Sequence, residues 1–245
     1  MLSVENLTVR FGQVVAVDNV TLSVAPGETV GIVGPNGSGK STFLNAVNRL
    51  VPSTGTIKIG NRAGPGRIGR TFQTPQVHPE LTCLENVMLG SPDRTGTGLF
   101  GAWLGRPGAG RAERERREKA AEYLVTANVP TSVFHEQCDS QPLSVARGVE
   151  IARALAREPQ IIFLDEPAAG LNDDETSDLV DVIRAIRSPD RCTVVIEHKI
   201  DFIDRATDRV VVFEAGKLIA TGPPREIWSH SRVVEAYLGV VDVED

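Results

Sequence analysis

The stretch TVGIVGPNGSGKSTFLNAV, residues 29–47, decides the fold. It opens on an apolar, strand-like run and passes through a glycine-rich loop. Phe43, Leu44, Val47 and Leu50 then recur at helical spacing, and Pro52 closes the helix just before another strand-like segment, TIKIG. The loop itself satisfies the full G-x-x-x-x-G-K-[ST] pattern with Gly34, Pro35, Asn36, Gly37, Ser38, Gly39, Lys40, Ser41 and Thr42. In such a strand–loop–helix unit the glycines let successive backbone N–H groups turn inward around phosphate oxygens, and the helix N-terminus adds its positive end. Lys40 supplies a point charge to the outer phosphates, and Ser41 stands where a hydroxyl ligates magnesium bridging two of them. The alternative, a flexible turn with an incidental lysine, does not account for the strand and helix on either side.

Leu2, Val4, Leu7, Val9 and Phe11 alternate with polar residues, and TLSV is separated from ETVGIVG by a Pro-Gly turn, so the N-terminal part reads as strands. From about 75 to 157 the strand signals fade. RAERERREKAAEYLVTANV there reads as a solvated helix with an apolar stripe toward its end. Within that region SPDRTGTGLFGAWLGRPGAGR, rich in Gly and Pro around Leu99, Phe100, Trp103 and Leu104, reads as a long loop or short surface helix. IIFLD at 161–165 and TVVIEH at 193–198 read as buried parallel strands joined by a crossover helix. RVVVFEAGKLIATG predicts a hairpin turning at Ala-Gly, and IWSHSRVVEAYLG a closing helix.

Open parallel sheets place their ligand-binding groups at the carboxyl ends of strands. Asp165 and Glu166 follow IIFLD there, with Asp165 expected in the magnesium shell and Glu166 polarising an attacking water. The bland alternative is that both acids cap the next helix. His198 ends the next strand, so its imidazole is expected at the same sheet edge, against the terminal phosphate. A lone strand-end histidine is ordinarily structural; the acid pair at the parallel position argues otherwise. His78, His135 and His230 lack such a setting and are expected at the surface, and no zinc site is expected.

The chain has 245 residues, 41% of them hydrophobic, with 26 basic and 32 acidic side chains. That length supports a large buried core. The net charge of −6 argues against holding nucleic acid by a general surface field. No apolar run approaches the roughly 18 residues of a membrane span. The opening MLSVENLTVRF lacks a basic flank followed by an apolar stretch, and Cys83, Cys138 and Cys192 are odd in number and scattered, so a reducing cytoplasm is expected.

GPNGSGKST, Gln73 in RTFQ, the LS-containing segment before EIARAL, IIFLDEP and the histidine of VIEH together resemble the ATP-binding subunit of an ABC transporter, nearly end to end. In order they match that family's Walker A loop, Q-loop, signature helix, Walker B strand and switch histidine. EPAAGLN at 166–172, TGLFGAWLGRP at 97–107, IEHKIDFI at 196–203 and VVEAYLG at 233–239 are similar to the branched-chain or hydrophobic amino-acid importer group, whose pattern urea and amide importers largely share. Asn172, where many members of the wider family carry aspartate, fits that group.

The resemblance implies an α/β fold: a P-loop NTPase (RecA-like) core with a mainly parallel sheet, an N-terminal antiparallel β subdomain and an inserted α-helical subdomain. It implies one ATPase domain over 1–245, with approximate parts 1–74, 75–157 and 158–245. ATP and Mg2+ are the implied ligands. Phe11 is the implied adenine-stacking ring, although by itself it reads as a core aromatic of an edge strand. Gln73 is the implied sensor of magnesium and water, at the groove where a membrane subunit docks. Two such subunits would close head to tail, each ATP lying between one chain's Walker A loop and the other's signature helix, where Ser144 stands. The implied partners are a second ABC ATPase, two membrane permease subunits and, indirectly, an external substrate-binding protein, with this chain peripheral on the inner face of the cell membrane.

One segment departs from the family pattern. The signature usually runs into its helix as LSGGQQQRVAIARAL, whereas LSVARGVEIARAL is two residues shorter and lacks the glycine pair and the glutamine. Two residues are about 200° of helix rotation and ~3 Å of rise, so IARAL and Ser144 cannot both keep their usual places. If the helix stays anchored, Leu143 and Ser144 fall on the glycine positions and Val145 on the glutamine. Either the ATP site completed by this segment is degenerate, or the loop rearranges so that Ser144 or Arg147 still reaches the partner's terminal phosphate. The first is favoured, because losing both glycines removes the close backbone approach that a phosphate contact needs.

Overall fold

The structure, a computed structural model, describes residues 1–60, 68–91 and 109–238. Its chain divides into two compact units: Met1–Ile68, Gln160–Ala169 and Arg187–Asp245 form the first, Gly69–Pro159 and Gly170–Ile186 the second.

The first unit carries the sheets. Strands β1 (Leu2–Phe11), β2 (Val14–Val24) and β4 (Thr54–Ile59) make an antiparallel sheet in the order β2-β1-β4. The alternation of the N-terminal sequence is the reason: Leu2, Val4, Leu7 and Val9 are buried while the intervening residues are more open. The second sheet of this unit runs β6-β7-β3-β8-β9. In it β6 (Ile161–Asp165), β7 (Cys192–Ile196), β3 (Thr29–Val33) and β8 (Arg209–Glu214) are parallel, and β9 (Lys217–Gly222) returns antiparallel. β3 and β7 are buried at every position, as near-continuous apolar runs in a central parallel sheet require. The β8–β9 hairpin turns at Ala215 (φ 45°) and Gly216 (φ 82°), the left-handed pair that a two-residue turn needs. One core joins both sheets and helix α1 (Lys40–Val47), with Phe43 and Phe213 tilted against each other at 5.3 Å.

The closing segment, expected as a helix from Ile227, is helical from Ser231. After α6 (Ile200–Ala206), α7 (Pro224–Ile227) ends before Trp228, and α8 (Ser231–Leu238) begins afresh. Ser229 and His230 lie between the two helices, and the Trp228 indole N–H donates to Asp204 at 2.6 Å.

The second unit is helical. It holds α2 (Cys83–Met88), α3 (Ala109–Thr126), α4 (Leu143–Ala156) and α5 (Asp173–Ala185); the short β5 (Ile68–Arg70) lies at its start. Thr82 with Glu85, and Asn172 with Glu175, build reciprocal capping boxes on α2 and α5. α3 is laced with i,i+4 pairs such as Arg111–Glu115 and Arg114–Glu118, while Ala120 and Leu124 toward its end are buried. Gly170–Ile186, grouped in the sequence with the last third of the chain, clusters with the helices: Leu171, Glu175, Leu179 and Val182 line one cavity with Ser144, Val145, Gly148 and Ile151 of α4. The insertion at 97–107, with its patch Leu99, Phe100, Trp103 and Leu104, lies outside the described residues.

Candidate active site

The glycine-rich loop leaves the buried end of β3 and enters α1, as the sequence pattern requires. Two of its glycines are obligatory. A Cβ on Gly34 (φ 150°) would stand 2.2 Å from the Phe213 carbonyl oxygen, and one on Gly39 (φ 100°) 2.5 Å from that of Ala16. Pro35, Asn36, Gly37 and Ser38 form the turn between them, closed by the Ser38 N–H donating to Pro35 O at 3.2 Å. Gly39 is the N-cap of α1, with no capping side chain and no acid in the first turn, so the helix end keeps donors for an anion. The Ser38 hydroxyl is buried without a hydrogen-bond partner among the described residues.

Lys40 is only 6% exposed, and its ammonium donates to the carbonyls of Gly34 (2.7 Å) and Pro35 (2.9 Å), folding it across the loop. Burial lowers its pKa, and the nearby Glu166 and Asp165 carboxylates oppose that shift. Ser41 is exposed and Thr42 half-buried in the first turn of α1. Ser41 and Asp165, both in this unit, offer the hard oxygens that suit magnesium, and the loop's donors suit a polyphosphate, so the residues fit the ligands that the family resemblance implies. Phe11, at the end of β1, is 50% exposed rather than packed in the core.

At the next two strands the carboxyl ends converge. His198 Nε2 lies 3.0 Å from Glu166 Oε1, with the carboxylate 26% and the imidazole 39% exposed. Glu166 is left-handed (φ 46°), and its N–H donates to Ile196 O at 2.9 Å. Glu197, 3% exposed, went unnoticed in the sequence as a functional candidate. Its carboxylate accepts the N–H groups of Ala168 (2.8 Å), His198 (2.8 Å) and Lys199 (3.4 Å). An acid ending an otherwise apolar strand, directly before the histidine, was the available signal.

Gln73 and Ser144 belong to the second unit. Gln73 is exposed, and its carbonyl accepts from the Arg147 guanidinium at 2.6 Å; Arg147 also donates to Phe72 O and, at 3.3 Å, to Glu150. Glu150 in turn accepts the N–H groups of Phe72 (3.3 Å) and Gln76 (3.0 Å). Both charges of this pair are 1% exposed. Burial raises the Glu150 pKa against the pull of those hydrogen bonds and of Arg147. Arg147, one of two groups considered for reaching a phosphate, is thus committed to the backbone of residues 72–73.

α4 runs unbroken from Leu143, with Pro142 as N-cap, through a buried Gly148–Ala152. Leu143 and Ser144 are the helix's first two residues, and Ser144 stands beside Glu175, whose pKa the Asn172 N–H and then the Ser144 hydroxyl hold below the ordinary carboxylate value. His78, His135 and His230 are exposed.

Residues 17–169 match the ABC transporter family, and residues 217–243 match the branched-chain amino acid ATP-binding cassette transporter family. The chain is 36% identical over 250 residues to the high-affinity branched-chain amino acid transport ATP-binding protein LivG of Escherichia coli (strain K12), covering 98% of both chains. It is 34% identical to BraF of Pseudomonas aeruginosa, of the same description, again over 98% of each. Among solved structures it is similar to the ADP conformation of an ATP-binding cassette of an ABC transporter, at 29% identity, 98% coverage of both chains and a TM-score of 0.80. It is also similar to a dimeric cassette in a post-hydrolysis state bound to ADP and Pi, at 28% identity, with 92% of this chain and 99% of that one covered and a TM-score of 0.73.

Proposed function

The chain belongs to the ABC transporter family of ATP-binding cassettes, and from that premise we propose that it is the ATP-hydrolysing subunit that powers a membrane importer of branched-chain amino acids. The single observation that carries the catalytic part is the Glu166–His198 contact beside an intact phosphate loop. Its two units are parts of one ATPase domain.

In this reading the Gly34–Thr42 loop and the end of α1 hold the phosphates, Lys40 leaves the loop carbonyls for the outer phosphates, and Phe11 stacks on adenine. Ser41 and Asp165 would hold Mg2+, which when bound would neutralise charge developing on the phosphates. Glu166 accepts the proton of the attacking water, and His198 holds that carboxylate and faces the terminal phosphate. A second cassette closes on this one head to tail, and two permease subunits, fed by an external binding protein, receive the motion. No helix among the described residues is long and apolar enough to cross a membrane. In this reading the chain works on the inner face of the membrane, docked to those permease subunits.

The ATP site completed by this chain's own signature segment is degenerate in this reading. Leu143 and Ser144 stand in helix rather than on a glycine turn, Ser144 is engaged by Glu175, and Arg147 is spent on residues 72–73. The test is the steady-state ATPase rate of the complete complex with Lys40→Ala in this chain only. Collapse to background supports the reading. Substantial turnover means that the partner's site fires against LSVARG, and the degenerate assignment falls.

A further inference from the structure

Glu197 is a buried carboxylate at the junction of three strands. Its own N–H donates to Ile32 O of β3 at 3.4 Å, and the residue before it, Ile196, accepts from Glu166. Its two oxygens gather three backbone donors: Ala168, two residues beyond Glu166, on Oε1, and His198 and Lys199 on Oε2. The left-handed Glu166 is therefore pinned on both sides, by Ile196 through its own N–H and by Glu197 through Ala168. Such a backbone persists only where its surroundings over-determine it.

We propose that Glu197 is a positioning residue for ATP hydrolysis, whose carboxylate sets the register between Glu166 and His198 by holding the turn after one and the backbone N–H of the other. The inference rests on the catalytic reading of that pair given above. Only an acceptor-only group suits the place: glutamine has one oxygen and would turn an NH2 against one of the converging N–H groups. Glu197 makes no bond to the phosphate loop itself among the contacts described, so its loss affects the chemical step more than nucleotide capture.

The experiment uses the complete complex with Glu197→Gln, Glu166→Gln, His198→Ala and the Glu197→Gln/His198→Ala double variant, each rate normalised to the nucleotide-bound fraction so that partial folding drops out. Glu197→Gln is expected to lower kcat roughly 10- to 100-fold, the scale of a misplaced catalytic group, with the KM for ATP changed by no more than about twofold. In the His198→Ala background it is expected to add little, because the geometry it maintains is already lost. Normal kcat in Glu197→Gln, a KM effect as large as the kcat effect, or a loss that multiplies in the double variant overturns the proposal. If Glu166→Gln and His198→Ala both turn over normally, the catalytic reading fails first. If those two collapse and Glu197→Gln does not, only the positioning role fails.

Discussion

Glu166 and His198 stand at the carboxyl ends of adjacent parallel strands, and their side chains meet at 3.0 Å. With the proton on Nε2 the imidazole donates to the carboxylate, which fixes the acid's orientation while leaving its second oxygen for a water. Glu166→Gln keeps the shape and removes the proposed base. The expected outcome is a kcat about 100-fold lower or worse with ATP binding retained, read by steady-state turnover and by titration with a fluorescent nucleotide.

Gly39→Ala is expected to abolish nucleotide binding and to destabilise the chain by about 1–3 kcal/mol. The new Cβ meets Ala16 O in a backbone conformation already unfavourable for alanine. Gly37→Ala meets nothing within 4 Å, although its φ of 77° is also left-handed, and is the milder control. Urea denaturation of the two variants separates the steric effect from the conformational one.

Arg147→Met leaves the Glu150 carboxylate buried without its cation, a change expected to cost about 3–5 kcal/mol in urea denaturation. Arg147→Met/Glu150→Leu is expected to be less destabilised than the single variant, because no uncompensated charge remains. Recovery stays incomplete, since Phe72 O and Gln73 O still lose a donor.

Acid titration separates two kinds of carboxylate. Glu85 and Glu175 have lowered pKa values because capping-box N–H groups favour their charged forms, so their contribution is present above the ordinary value near 4.5 and lost as pH falls through the lowered one. Glu150, raised by burial, works the other way: its contribution is complete below 4.5 and lost as pH rises through its higher folded value. Melting temperatures from pH 3 to 7 are expected to fall less steeply with acid in Glu175→Gln, and to decline less with rising pH in Glu150→Gln.

The sheets and the phosphate loop were legible because their signals are local. Alternation in β1, continuous apolar runs in β6 and β7, and the Ala-Gly turn of β8–β9 each state their own geometry within ten residues or so. The Glu166–His198 meeting was legible because equivalent ends of neighbouring parallel strands must lie together. Arg147 was not, since its role depends on Phe72 and Gln73, more than seventy residues away in sequence. Glu197 was hidden for a related reason: its donors are backbone N–H groups, which carry no mark of residue type. The closing helix starts at Ser231 rather than Ile227 because Trp228–His230 form a turn that the apolar spacing does not reveal.

Glu166 sits at φ 46°, where glycine and asparagine are at ease and a longer side chain is not. Under the catalytic role proposed for Glu166, thermal robustness and turnover pull on this position in opposite directions. A library selected only for heat resistance is expected to enrich glycine or asparagine at 166, yielding sturdier cassettes that no longer burn ATP, and any stabilisation campaign on this protein must hold that position fixed.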